Sequence, residues 1–75
     1  MTEFYITEKV WEVIHQHTGI PSCEIKKDTE ISAENRRSII QDVGIKLRIP
    51  IHKMMGITTA GELADAAVVQ IKLAI

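Results

Sequence analysis

The chain has 75 residues, 45% of them hydrophobic and 25% charged, with a formal net charge of −1. This length makes one domain, residues 1–75, with a small core, and the balance is that of a globular chain and not a disordered one. Near-neutral charge argues against a non-specific nucleic-acid binder, because Lys26-Lys27 and Arg36-Arg37 are too little for a phosphate-tracking surface.

The first predicted element is a helix over Glu3 to Thr18. Ile6, Val10, Val13, Ile14 and His17 fall on one face at helical spacing. Thr2 or Thr7 can cap its start, and Gly19 is a natural C-terminal stop. Ile20 to Ile31 then reads as a loop, since Pro21, Ser22 and Asp28 are turn residues and no period holds. Ile20, Ile25 and Ile31 are its expected anchors on the core. A loop of this length is uncommon in so small a domain and is often functional.

The stretch Ser32 to Pro50 predicts the second long helix. Ile39, Ile40, Val43 and Leu47 share a face. Ser32 stands at the N-cap position, Glu34 suits the positive end of the helix dipole, and Pro50 marks the break. Pro50 to Met55 predicts a short helix ended by Gly56, with Ile51, Met54 and Met55 facing inward. The last helix opens on a capping box, Thr59 with Glu62. Its apolar stripe is Ala60, Leu63, Ala64, Ala67, Val68, Ile71 and Ile75, and Gly61 is expected to weaken its first turn.

Two stretches carry a family resemblance. One is Thr18-Gly19-Ile20 followed by Glu24-Ile25-Lys26-Lys27-Asp28-Thr29-Glu30-Ile31. The other runs without a gap from Ile49-Pro50-Ile51 through Met54-Met55-Gly56 and Thr59 to Glu62-Leu63-Ala64. In order and spacing they resemble the acyl and peptidyl carrier proteins, and together they cover about a third of the chain. The resemblance implies an all-α fold, a small four-helix carrier-protein-like bundle with a long first loop. It also implies a 4′-phosphopantetheine arm on a serine, holding acyl or aminoacyl groups for enzymes of fatty acid, polyketide or nonribosomal peptide biosynthesis. Such a protein is not itself an enzyme.

The family's Asp-Ser-Leu attachment motif is not intact here, and the chain between the two matching stretches is shorter than the family's. If the loop absorbs the deficit, the serine slot falls at Ser32 or Ala33 and the apolar period of the helix is kept. If the helix absorbs it, the slot falls at Ser38, in Arg37-Ser38-Ile39. Packing favours the first placement. The alternatives are thus an arm on Ser32, an arm on Ser38, or a carrier-like domain with no arm that serves as a protein-interaction module. The family's second helix is usually acidic, whereas this one carries Arg36, Arg37, Lys46 and Arg48 against Glu34 and Asp42. Arg36 and Arg37 are therefore candidates for docking an acidic partner on that helix, and Met54 and Met55 for an apolar groove facing an acyl chain or a partner. A nucleic-acid role starting from Arg36 and Arg37 is the weakest reading.

Little else in the chain suggests chemistry. His15 and His17 are two apart on a helix and point to different faces. Cys23 is alone, so it makes no internal disulfide or cysteine-based zinc site. No catalytic triad, carboxylate pair or glycine-rich phosphate signature is present. No apolar run approaches the roughly 18 residues of a membrane span and no signal-peptide pattern is seen, so the expected location is cytoplasmic.

Overall fold

Local signals set the first helix. In the computed structural model, which describes residues 2–50 and 56–73, α1 runs over Glu3–Thr18. Thr2 is its N-cap, and its hydroxyl accepts the Tyr5 backbone N–H at 3.1 Å. Gly19 ends it at φ 77°, a conformation that costs glycine little, and donates its N–H to His15 at 2.8 Å. Ile6, Val10, Val13 and Ile14 are all buried.

The second helix, α2, covers Ala33–Leu47 with Ser32 as its N-cap. It stops short of the break expected at Pro50. Arg48 turns into the left-handed region at φ 57°, and the Ile49 N–H reaches back to the Gly44 carbonyl at 2.9 Å. That six-to-one bond closes the helix end and lets Ile49 bury its side chain. Ile39, Ile40, Val43 and Leu47 are buried, as their spacing predicts.

The third helix, α3, covers Ala60–Leu73. Ala60, Leu63, Ala64 and Ala67 are buried, whereas Val68 and Ile71 are only partly so. The expected position Ile75 lies outside the described residues. Three α-helices stand among the described residues, with one 3-10 turn over Ser22–Glu24. The fold is all-α. The short helix expected over Pro50 to Met55 falls, but for Pro50, outside the described residues.

Helix α1 packs against both α2 and α3. Polar ties across these contacts give the directions. His17 meets Asp42 and Glu12 meets Lys46, so α2 runs antiparallel to α1. Lys72 meets Glu3 at 2.7 Å, so α3 also runs back along α1. The core lies where the three apolar faces meet, and Ile25, Ile31, Ile49 and Ile57 close it from the connections. Among the described residues, no helix is long and apolar enough to cross a membrane.

Candidate functional site

The site begins where the long loop meets two helix starts. Buried Ile25 and Ile31 pin the loop. Between them, the loop backbone is bonded to the opening of α3. Lys27 and Thr29 accept the N–H groups of Gly61 and Ala60 at 2.9 and 2.8 Å. Ile31 donates to the Thr58 carbonyl at 2.9 Å, and Glu30 and Thr59 form an antiparallel bridge. A helix start leaves its first N–H groups without partners inside the helix. Here the loop supplies two of them.

The capping box completes this junction. The Glu62 N–H donates to the Thr59 hydroxyl at 3.2 Å. The Glu62 carboxylate in turn accepts the hydroxyl and N–H of Thr58 and of Thr59. Those bonds, the Thr58 hydroxyl first among them, hold the Glu62 carboxyl below its ordinary pKa. Gly61 has a role the sequence does not reveal. An added Cβ there would lie 2.7 Å from the Lys27 carbonyl oxygen and 2.9 Å from its Cβ. The expected cost of Gly61 to its own helix is thus the condition for the loop's close approach.

Ser32 follows this stitched segment directly. Its backbone is extended, at φ −61° and ψ 150°, and its carbonyl accepts the N–H groups of Asn35 and Arg36 at 3.2 and 3.0 Å. Its side chain is exposed and makes no cap hydrogen bond. A serine at this position usually spends its hydroxyl on the second or third helical N–H. Ser32 does not, so the hydroxyl of an exposed serine is left uncommitted at the positive end of α2. Ser38 is also exposed, but it sits within the helix beside buried Ile39.

Arg36 and Arg37 part company. Arg36 is half-buried; its Nη2 donates to the Ile31 carbonyl at 3.2 Å, and its Nε is buried without a partner among the described residues. It braces the junction before Ser32. Arg37 is exposed. Met54 and Met55 lie outside the described residues.

The histidines act as ties. His15 Nδ1 donates to the Ile20 carbonyl at 2.8 Å, and His17 is hydrogen-bonded to the Asp42 carboxylate. Cys23 is exposed and free. No cluster of three or more metal-ligating side chains occurs among the described residues.

The residues singled out in the sequence as one basic patch omit part of the exposed surface of α2. Ile45 is 78% exposed and Arg48 is exposed. The signal for Ile45 was its place in the helical period, off the stripe of Ile39, Ile40, Val43 and Leu47. Comparison with protein-family models, with curated proteins and with solved structures gives no match.

Proposed function

We propose that this chain is a divergent acyl or peptidyl carrier protein that holds its cargo on a phosphopantetheine arm attached to Ser32. The observation that carries the reading is that exposed Ser32, at the N-terminus of a long helix, leaves its hydroxyl without a cap hydrogen bond. The resemblance of Thr18 to Ile31 and Ile49 to Ala64 to carrier sequences supports the same reading, and with it the finer architecture of a four-helix carrier-like bundle.

The residues fit such a group. Ser32 would hold it through a phosphodiester on Oγ, and the helix N-terminus favours the phosphate charge. When bound, the arm supplies a thiol that carries acyl or aminoacyl groups as thioesters. The chain's own part is to present that oxygen. The loop bonds to α3 fix the approach to Ser32, and the Arg36 contact with Ile31 steadies the residue before it. The protein performs no reaction of its own and serves cytoplasmic partner enzymes.

A second reading is an arm-less protein-interaction module. It is favoured by the immediate context of Ser32, where buried Ile31 and exposed Ala33 stand in place of the family's aspartate and leucine.

The test is intact mass after incubation with coenzyme A and a broad-specificity phosphopantetheinyl transferase. A gain of one phosphopantetheine, kept in Ser38→Ala and lost in Ser32→Ala, is the expected result. Loss in Ser38→Ala instead would move the arm to Ser38. No gain in a folded sample would overturn the carrier reading in favour of the second.

A further inference from the structure

One side of α2 is exposed among the described residues. Arg37, Gln41, Ile45 and Arg48 recur at steps of four, four and three, which stacks them along one side of the helix. All four are exposed, off the buried stripe. Ile45 is 78% exposed, the highest value among the large hydrophobic side chains described. It borders a shallow cavity of about 420 Å³ lined by Gln41, Asp42, Gly44, Ile45 and Ile49.

Among the described residues no ion pair neutralises the arginines on this side, although exposed Glu34 stands one turn before Arg37 on the same side of the helix. Asp42 is taken by His17, and Lys46 meets Glu12 at 3.7 Å. Arg37 and Arg48 have no carboxylate partner among the described residues, so two free guanidiniums bracket the isoleucine. A rise of 1.5 Å per residue sets them roughly 16 Å apart along the axis. Isolated exposed apolar residues are ordinary. An exposed isoleucine beside an open cavity, with an unpaired arginine at each end, is a pattern that a complementary surface would match.

We infer that this face docks an acidic amphipathic helix of a partner protein, whose aliphatic side chain seats beside Ile45 while its carboxylates meet Arg37 and Arg48. Charge complementarity selects the occupant. Arg forks pair bidentately with carboxylates, and desolvation around the isoleucine strengthens those pairs. A nucleic-acid backbone would satisfy the arginines but leave Ile45 without a partner. The inference stands whether or not Ser32 carries an arm.

The probe is a labelled helical peptide of about 16 residues, long enough at ~24 Å to span both arginines. It has a central leucine with glutamates toward each end. Its counterpart replaces the glutamates by lysines. Fluorescence anisotropy is read on the full, unmodified chain. The acidic peptide should bind and the basic one should not, and binding should weaken as salt rises. Arg37→Glu with Arg48→Glu should weaken it at least about tenfold and transfer preference to the basic peptide. Ile45→Ser should weaken it by about tenfold. Four results would overturn the inference: no binding of the acidic peptide, equal binding of both peptides, tighter binding of a DNA duplex of matched charge, or a wild-type dimer that the double charge reversal dissociates. These substitutions lie on exposed positions, and circular dichroism of each variant confirms its fold. Because anisotropy is read on the unmodified chain, the result does not depend on an arm, which separates this inference from the carrier reading.

Discussion

Replacing Gly61 with alanine should destabilise the protein, although helix propensity alone predicts the reverse. In an exposed helix interior, Gly→Ala gains about 1 kcal/mol. At Gly61 the new methyl would lie 2.7 Å from the Lys27 carbonyl oxygen and 3.0 Å from its Cα. These are backbone atoms and cannot swing away like the end of a flexible side chain. Relieving the overlap means moving the loop, which stretches the Gly61-to-Lys27 and Ala60-to-Thr29 hydrogen bonds at 2.9 and 2.8 Å. Overpacking costs about 1–3 kcal/mol, and each weakened bond adds up to ~1 kcal/mol. After the propensity gain is subtracted, the net loss should be about 2 kcal/mol, lowering Tm by roughly 8–16 °C in a domain of this size. Urea unfolding followed by Trp11 fluorescence is a suitable assay, because Trp11 and Gly61 line the same small cleft between α1 and α3. Since the displaced loop leads to Ser32, the proposed loading of that serine should slow as well. A Gly61→Ala protein as stable as wild type, or more so, would refute the loop–helix contact as drawn.

Four other expectations concern separate parts of the structure. Ile39→Ala should cost about 2–5 kcal/mol in urea unfolding, because Ile39 is fully buried, whereas Ile45→Ala should change stability by less than ~0.5 kcal/mol. Asp42→Ala should cost below about 1 kcal/mol in the same assay, since the pair it breaks with His17 is partly exposed to solvent. Glu62 titrates below its ordinary value near 4.5, so its contribution is present above that value and is lost as pH falls from there through the lowered pKa. Thermal unfolding from neutral pH into acid should therefore show a shallower decline for Glu62→Gln than for wild type, and parallel curves would contradict the box. Ser38→Ala should leave stability unchanged, and likewise the proposed loading of Ser32, as read by unfolding and intact mass.

How much was legible follows from how local each cause is. Helix α1 matched its expected bounds because its determinants lie within a few residues: Thr2 caps it, Gly19 ends it, and four aliphatics mark its face. The Thr59–Glu62 box was equally readable. The end of α2 was not, because a non-glycine residue, Arg48, adopts the left-handed conformation that the sequence marks only when glycine supplies it. Pro50 drew the expected break too far along. The second role of Gly61, beside its cost to its own helix, was hidden for a different reason, since its neighbour is Lys27, distant in sequence and brought close only by tertiary packing. The His17–Asp42 contact likewise joins two helices, and no periodicity within either one contains it. Ser32 was found as a cap, but that its hydroxyl is left unspent is a matter of side-chain direction, which no cap signature encodes.

Arg36 and Arg37 look alike in sequence and should behave differently. Arg36 donates one hydrogen bond to the Ile31 carbonyl at 3.2 Å while its Nε is buried without a partner. Methionine keeps most of the apolar stem and removes both features. The lost charged hydrogen bond costs about 1.5–3 kcal/mol, and relief of the unsatisfied donor returns about 1–3 kcal/mol. The two nearly cancel, so Arg36→Met should shift the urea midpoint by the equivalent of less than ~1 kcal/mol. The local effect should be clearer than the global one. With Ile31 no longer braced, amide exchange of its N–H, which is bonded to Thr58, should quicken relative to that of the α1 core. Arg37→Ala should leave that amide alone and instead weaken binding of an acidic helix to α2. If Arg36→Met impaired that binding as much as Arg37→Ala did, and left Ile31 exchange unchanged, the two arginines would form one solvent-facing patch, and the brace before Ser32 would have to be abandoned.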